Sequence, residues 1–191
     1  MAKENKSRYA VLGMLSTEPM SGYDIKKAIE NSVANFWNES YGQIYPILKQ
    51  LADAGLTTSH TEKQEGKPER YVYTLTDKGR EELLHWLAEP VEHAVERNEL
   101  LLKLFFGHEV SVTTSIEHVR QFRMLMAALL QKYTGIIAYL NEHCMDAPDM
   151  LYRRITVSYG LHRTQALVQW CDETIELLQQ MSGRDQSRPD K

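Results

Sequence analysis

In the first half of the chain, the apolar side chains recur with two different periods. Three segments place them three or four residues apart, as on one face of a helix, and these segments are residues 7–17, 21–33 and 40–54. Residues 56–60 and 71–75 are instead rich in β-branched and aromatic side chains, which predicts two strands. A last helical pattern covers residues 77–88. The predicted order is therefore helix, helix, helix, strand, strand, helix.

Residues at the ends of these segments support the same boundaries. Ser21 is a suitable N-cap, and Asp24 three residues later completes a capping box. Ser40 opens the third helix from a polar cluster, and Gly55 follows it at the position where helices end in a left-handed residue. Residues 63–70 contain a Gly-Lys-Pro turn between the two strands, which predicts a β-hairpin.

The second half of the chain predicts long helices. An apolar segment, residues 98–106, precedes a helix capped by Ser111, and a second helix spans residues 149–181 after a break at Asp-Ala-Pro. The first long helix has an apolar seam with a period of about 3.5 residues, formed by Val112, Ile116, Val119, Phe122, Met126, Leu129, Tyr133, Ile136 and Leu140. The second carries Leu151, Ile155, Leu161, Val168, Ile175 and Leu178.

These patterns predict a mainly α fold with two domains. Three helices, a two-stranded wing and a fourth helix are typical of a winged helix-turn-helix, which we assign to residues 1–89. Residues 90–182 form a helical domain with two long antiparallel helices, and residues 183–191 are a polar tail expected to be disordered. Because two helices bury both their faces poorly, we expect a second subunit to complete this domain as a homodimer.

The composition of the chain does not by itself indicate DNA binding, but it excludes several other classes of protein. The net charge is −4, and neither half of the chain is basic, so overall charge does not indicate nucleic-acid binding. No apolar run is long enough to cross a membrane, and the N-terminus lacks the features of a signal peptide. Cys144 and Cys171 lack the paired spacing of a zinc site, so we expect reduced thiols in a cytoplasmic protein.

The sequence favours a protein that is not an enzyme. It contains no G-x-S-x-G motif, no P-loop and no acid–base pair that the pattern orients. The seven histidines are scattered and form no metal-ligand motif. We therefore expect no catalytic residues, no metal and no cofactor.

Several motifs, in the right order, resemble those of the PadR-like transcriptional regulators. They are Tyr-Ala-Val-Leu-Gly-Met-Leu at residues 9–15, SGYDIKKAIE at 21–30, SYGQIYPILKQLADAGL at 40–56 and GKPERYVYTLTDKGREEL at 66–83. ELLLKLFFG at residues 99–107, followed by two long helices, is similar to the C-terminal domain of the longer, virulence-activator-like members. The resemblance covers about residues 7–180.

The resemblance implies a homodimer that binds double-stranded DNA, with a palindromic operator and a role as a repressor. The virulence-activator branch activates transcription instead, and the motifs do not decide between the two. Some members respond to phenolic acids or drugs, which implies a small aromatic effector whose binding residues remain unknown. Trp37, Trp86, Trp170, Phe105, Phe106 and Tyr152 are candidates for a cavity, although ordinary core packing explains such aromatics equally well.

The recognition helix, residues 40–54, carries the first group of candidate DNA contacts. Gln43 can read adenine through its amide, and Lys49 can reach the DNA backbone. Ser40 lies where the helix N-terminus favours phosphate, and the hydroxyls of Tyr41 and Tyr45 can donate to phosphate. The alternatives are a solvated glutamine, a serine that only caps, and a packed Tyr45. Core positions are expected for Ile44, Ile47, Leu48 and Leu51.

A second group lies outside this helix. Lys63, Lys67 and Arg70 flank the wing, residues 63–70, which can reach the adjacent minor groove, although Glu65 and Glu69 dilute its charge. Further candidates for phosphate contacts are Tyr23, Lys6 and Arg8. We expect Lys26 and Lys27 to lie on a solvated face instead. A winged-helix module that binds proteins and not DNA is the alternative that the negative net charge favours.

Overall fold

The computed structural model describes residues 6–34, 36–37, 39–62, 69–92, 97–143 and 149–185, without the side chains of Tyr41 and of residues 182–185. Contacts divide the chain into two compact units, Met1–His93 and Ala94–Lys191. We call them the winged unit and the helical unit, and each is described by itself. The functions that we expect for the two predicted domains remain predictions. The same is true of the disordered tail that we expect at residues 183–191.

The described residues of the winged unit form four helices and a small sheet. The helices are α1 (Ser7–Leu15), α2 (Gly22–Ser32), α3 (Tyr41–Asp53) and α4 (Asp77–Ala88). The strands are β1 (Met20–Ser21), β2 (Thr57–Glu62) and β3 (Arg70–Leu75), arranged as an antiparallel sheet in the order β1-β3-β2. The mainly α, winged helix-turn-helix fold is confirmed.

The third strand is a difference from the prediction of a two-stranded wing. β1 pairs with β3 through Met20 opposite Tyr73 and Ser21 opposite Val72. Two residues are too few to show the alternation that identifies a strand. This strand fixes the start of α2 beside β3, because Ser21 is both its last residue and the N-cap of α2.

The core of the winged unit is closed by α1, α2 and α3 together. Apolar side chains from each helix are almost fully buried, as predicted for the inner face of α3. The members of this core are Tyr9, Val11, Leu12, Leu15, Met20, Ile25, Ile29, Ile44, Ile47, Leu48, Leu51, Leu56 and Leu83. Burial at this level contributes about 1.5–3 kcal/mol for each large aliphatic side chain, so the face of α3 that turns inward is fixed by packing.

The end of α3 is built as the sequence predicts. Gly55 has φ +70°, the left-handed conformation that glycine adopts without strain. Its N–H donates to the carbonyl of Ala52 at 2.9 Å, and the N–H of Leu56 donates to the carbonyl of Leu51 at 2.9 Å. These two hydrogen bonds form a Schellman motif, and the buried Leu56 and Leu51 supply its apolar partners.

The start of α4 is attached to the end of α3. The hydroxyl of Thr76 accepts from the N–H of Gly79 and donates to the carbonyl of Gly55, while Lys78 donates to the carbonyl of Ala54. A Cβ on Gly79 would collide with the carbonyl oxygen of Leu56, so only glycine allows this approach. The last carbonyls after α3 therefore receive partners from the next helix.

The helical unit contains α5 (Glu99–Phe105), a 3₁₀ turn (Gly107–Glu109), α6 (Val112–His143) and α7 (Met150–Asp185). Ser111 caps α6 by accepting from the N–H of Thr114 at 3.2 Å, as predicted. All nine predicted seam residues of α6 are buried or half-buried. In α7 the stripe is only partly confirmed, because Leu151 and Ile155 are exposed.

Two contacts show that α6 and α7 run antiparallel. Arg123 binds both carboxylate oxygens of Asp172, at 2.5 and 3.1 Å. The ring of Tyr133 lies against Gly160, where an added Cβ would be 2.6 Å from the ring atom Cε1. The later residue of α6, Tyr133, contacts the earlier residue of α7, Gly160. The two helices therefore run in opposite directions and form the predicted hairpin.

Two other features of the described residues bear on the sequence analysis. None of their helices combines the length and apolarity required to cross a bilayer. They also contain no group of three or more His, Cys, Asp or Glu residues arranged to hold a metal ion. Cys171 is a buried thiol, and burial raises its pKa; Cys144 lies outside the described residues.

Candidate nucleic-acid interface

The part of α3 that is turned away from the core presents polar side chains. Ser40, Gln43, Tyr45 and Lys49 are exposed, whereas the predicted core residues of the same helix are buried. Tyr41 is the first residue of α3, and its side chain lies outside the described residues. The helix thus offers a polar strip held rigidly by the core behind it.

The first turn of α3 uses two candidate DNA contacts in a cap. The N–H of Ser40 donates to Oε1 of Gln43 at 3.0 Å, and the hydroxyl of Ser40 donates to the same oxygen at 2.9 Å. Gln43 is therefore the side chain of a capping box that reaches back to the N-cap. The Ser-x-x-Gln spacing carries this signal, but our prediction of the Ser40 cap rested on the polar cluster before α3 and did not use the spacing.

Three exposed tyrosines surround a groove of about 500 Å³ in the winged unit. Tyr23 comes from α2, Tyr45 from α3 and Tyr71 from β3, and each is more than half exposed. The ring of Tyr45 lies over Gly22, where an added Cβ would be 2.8 Å from Cε1. We call this the tyrosine groove; Arg70 also lines it, so it brings together three predicted contacts, Tyr23, Tyr45 and Arg70.

Tyr71 is a residue that the sequence analysis missed. Its neighbour Val72 is buried, and successive side chains of a strand point to opposite faces, so alternation alone places Tyr71 outward. Tyr71 and Tyr45 also act on Tyr73: burial raises the pKa of the Tyr73 phenol, and these two rings add to the effect. The three elements of the groove therefore meet around the base of the wing.

Arg70, a predicted wing contact, is held by two carboxylates. Its guanidinium donates to Oε2 of Glu62 at 2.8 and 3.0 Å and lies 3.4 Å from Oδ2 of Asp24. Glu62 is its direct partner across the β2–β3 ladder, while Asp24 belongs to α2. The hydrogen bond from Arg70 lowers the pKa of Glu62 and raises the pKa of Arg70. At neutral pH this cation is thus shared with the protein's own acids.

The carboxylate of Asp24 has a second role at the start of α2. It accepts from the N–H and the hydroxyl of Ser21 at 3.1 and 2.7 Å, which confirms the predicted capping box. The side-chain hydrogen bond from Ser21 lowers the pKa of Asp24, and the positive charge of Arg70 lowers it further. Asp24 therefore connects the first turn of α2 to the base of the wing.

Three other predicted cations of this unit, among its described residues, are also paired with acids. Lys6 binds Glu92 at 2.9 Å, and Arg8 binds Glu82 at 3.2 Å. Lys26 is buried and binds Glu30 at 3.0 Å, so it does not belong to the solvated face expected for it, because its neighbours cover its stem. Lys49 is exposed and has no ion-pair partner among the described residues. Lys63 and Lys67 lie outside the described residues.

The aromatic residues considered for an effector site lie in different environments. The ring of Trp86 stacks on Tyr9 at 4.4 Å and packs against the core of the winged unit. Trp37 donates to Oε1 of the buried Glu39 at 2.8 Å, just before α3. Phe105, Phe106 and Tyr152 are exposed, and Trp170 is half-buried. Core packing explains Trp86, whereas the effector residues stay unknown.

Two family models match the chain in succession. The model described as the transcriptional regulator PadR-like family matches residues 11–85, and the model described as virulence activator alpha C-term matches residues 96–179. The negative transcriptional regulator PadR of Bacillus subtilis (strain 168) is 29% identical over 177 residues, which are 90% of this chain and 96% of that protein.

Solved structures of two relatives superpose on most of the chain. Bacillus subtilis PadR in complex with operator DNA has a TM-score of 0.79 and 30% identity, covering 91% of this chain and 99% of that one. The same protein in complex with p-coumaric acid has a TM-score of 0.75 and 28% identity, with 92% and 99% covered. The virulence activator AphA of Vibrio cholerae has a TM-score of 0.74 and 28% identity, with 91% and 98% covered.

Proposed function

Since the chain belongs to the PadR-like family of transcriptional regulators, we propose that it binds a palindromic operator as a homodimer and represses transcription. The observation that carries this proposal is the polar outer strip of α3, fixed by a fully buried inner face. A helix of this kind in a winged helix-turn-helix enters the major groove and contacts base edges with its first residues.

In this proposal α3 reads the bases and the surrounding residues hold the backbone. Gln43 contacts a base edge, while Ser40, Tyr41, Tyr45 and Lys49 contact phosphates or position the helix. Tyr23 on α2 contacts the backbone from the other side of the tyrosine groove. Lys49 supplies the positive charge of α3, because it is the exposed cation of that helix and has no ion-pair partner among the described residues.

The wing supplies the second contact in this proposal. Lys63 and Lys67 reach the adjacent groove or its phosphates, and Arg70 lies at the base of the wing between Glu62 and Asp24. Pairing with these acids keeps Arg70 in one position, but it also reduces the positive charge that the wing offers. We therefore expect moderate affinity per winged unit and a strong dependence on two units binding together.

The helical unit is the proposed dimerisation domain. Large apolar side chains are exposed on the outer faces of its long helices, and among them are Met124, Leu125, Leu151, Tyr152, Ile155, Tyr159, Leu177 and Met181. Exposed apolar surface of this extent is typical of protein interfaces. A second copy of the chain is the proposed occupant, since two winged units must be linked to bind a two-fold symmetric operator.

The relatives support a proposal for the sign of regulation and for the effector. PadR of Bacillus subtilis is described as a negative regulator, which supports repression, and AphA is described as a virulence activator, which makes activation the second candidate. The complex of PadR with p-coumaric acid supports a small aromatic acid as effector. We expect a regulator of this kind to act in the cytoplasm and to have no catalytic activity.

Selection of bound genomic fragments by the full-length chain tests the proposal. We expect enrichment of a palindromic site in a promoter region, including that of the chain's own gene. Replacing Lys49 or Lys67 with Ala should weaken binding to every sequence and reduce the slope of log affinity against log salt by about one. The matched control is Lys132→Ala, which removes an exposed lysine from the helical unit.

Two results would count against the proposal. If no fragment is enriched over random genomic DNA, the winged unit does not act as a sequence-specific DNA-binding domain, and the protein-interaction alternative gains support. If Lys49→Ala and Lys132→Ala change the salt slope equally, α3 does not face the phosphates. Titrating tryptophan fluorescence with p-coumaric acid tests the effector separately, and a flat titration would remove that acid from the proposal.

A further inference from the structure

The geometry assigns Gln43 a donor-only role in base recognition, so that it selects guanine and not adenine. This inference rests on the proposed function, because it concerns which base the first turn of α3 accepts in the operator. It replaces the expectation from sequence, in which a free glutamine amide pairs with adenine. The observation behind it is the cap that joins Gln43 to Ser40.

The orientation of the Gln43 amide is fixed by its partner. A backbone N–H can only donate a hydrogen bond, so the atom 3.0 Å from the N–H of Ser40 must be the amide oxygen. The hydroxyl of Ser40 donates to the same oxygen at 2.9 Å. With both contacts made, the oxygen has its usual two partners, and the NH₂ group is the part of the amide left to contact DNA.

The edges of the bases translate this orientation into a preference. Adenine offers one acceptor and one donor in the major groove, so a glutamine that reads it uses its oxygen and its NH₂ together. Guanine offers two adjacent acceptors, N7 and O6, which an NH₂ group alone can satisfy. Reading adenine would require Gln43 to break both contacts with Ser40 and would leave the N–H of Ser40 without its cap.

The capping box also provides a substitution that preserves the fold. Glutamate is a preferred residue at this position of a capping box, so Gln43→Glu keeps the contact with Ser40. The atom offered to DNA then changes from a donor to an acceptor. Guanine becomes unfavourable, and bases that present a donor, cytosine N4 or adenine N6, become favourable. A single exchange thus inverts the polarity of the group that reads the base.

The experiment is selection from a randomised duplex library by full-length wild-type protein and by Gln43→Glu, followed by competition binding with matched duplexes. We expect one symmetric pair of positions to change from guanine in the wild type to cytosine or adenine in the variant, with the remaining consensus unchanged. At that position, exchanging guanine for adenine should weaken wild-type binding roughly tenfold, relative to the selected site.

Two controls separate base reading from charge and from folding. Gln50→Glu adds the same negative charge to the exposed surface of α3, away from its first turn, and should lower affinity without changing the selected bases. Ser40→Ala removes one of the two donors that hold the amide oxygen, so its preference for guanine over adenine should be smaller than in the wild type. Thermal unfolding of each variant shows whether the winged unit remains folded.

The outcomes distinguish this inference from the proposed function. A selected site with guanine at the position that responds to Gln43→Glu supports the inference. Adenine at that position overturns it while leaving the proposed function intact, because the amide oxygen must then leave the cap. An unchanged consensus in Gln43→Glu also overturns it, since Gln43 then reads no base. If the wild type enriches no sequence, the proposed function fails and the inference fails with it.

Discussion

The winged unit and the helical unit differ in how completely they bury their apolar side chains. In the winged unit, three helices close a core whose aliphatic members at Leu12, Ile25, Ile29, Ile44 and Leu48 are fully buried. In the helical unit, α6 and α7 bury one seam against each other, while large apolar side chains such as Leu151, Tyr159 and Leu177 remain exposed. The first unit has a complete core, and the second has an apolar face left over.

This difference agrees with the tasks that we propose for the two units. A complete core behind α3 holds its polar strip in one position, which recognition of base edges requires. An uncovered apolar face gains free energy only by contact with another surface, which is how a subunit interface works. The contrast therefore supports the proposal that the winged unit recognises DNA and that the helical unit forms the dimer.

The largest expected effect comes from opening the core behind α3. Leu48→Ala should destabilise the winged unit by about 2–5 kcal/mol, because it leaves a cavity among fully buried neighbours. Chemical unfolding followed by circular dichroism should show an earlier transition for this unit. Leu84 on α4 is exposed, so Leu84→Ala should change stability by about 0.5 kcal/mol or less. Equal effects of the two variants would mean that the core is not closed.

The next effect tests the uncovered face of the helical unit. Leu177→Glu places a charge on the exposed apolar surface of α7, so we expect the homodimer to dissociate while both units stay folded. Sedimentation velocity at several concentrations measures this directly. Gln165→Glu adds the same charge at an exposed polar position of the same helix and should leave the dimer intact. If the wild-type chain sediments as a monomer, the exposed apolar face of the helical unit does not form a dimer.

A smaller effect concerns two ion pairs, Arg70–Glu62 in the winged unit and Arg123–Asp172 in the helical unit. Glu62→Gln removes a carboxylate from Arg70 and should raise DNA affinity roughly two- to fivefold, because the wing then offers more positive charge. Asp172→Asn removes the partner of Arg123 in the helical unit and should leave DNA affinity unchanged. If both variants bind DNA alike, the pairing of Arg70 does not limit the wing.

The smallest effect is a pH dependence of the winged unit. Ser21 and Arg70 lower the pKa of Asp24 in the folded state below the ordinary value of 3.8. The ionised carboxylate therefore stabilises the folded state above the unfolded value, and this contribution is lost as pH falls through the lower, folded value. Asp24→Asn should flatten the acid side of a plot of Tm against pH. An unchanged acid limb would mean that Asp24 contributes nothing to it.

Local signals made much of the winged unit predictable from sequence. The capping box of Ser21 and Asp24 and the left-handed Gly55 depend on residues within a few positions of each other. The apolar seam of α6 could also be predicted, because the spacing of apolar residues along a long helix identifies its buried side. Strand β1 was missed because its two residues carry no pattern of their own.

The charge state of the site could not be predicted in the same way. Arg70 and Asp24 are 46 positions apart, and only the fold brings their side chains together. The cap between Ser40 and Gln43 was within reach of sequence, since the two residues are three positions apart at a helix start. Whether a cation faces DNA or an internal acid is thus decided by tertiary contacts.

The proposal that the chain binds a palindromic operator as a homodimer is tested most directly by a footprint of the full-length protein on a selected genomic fragment. The number of chains bound is measured on the same duplex. We expect one dimer to protect two half-sites that are related by a two-fold axis and separated by about 10 base pairs or a multiple of one helical turn. Protection of a single half-site by a monomer, or no protection at concentrations that retard the duplex, would contradict it.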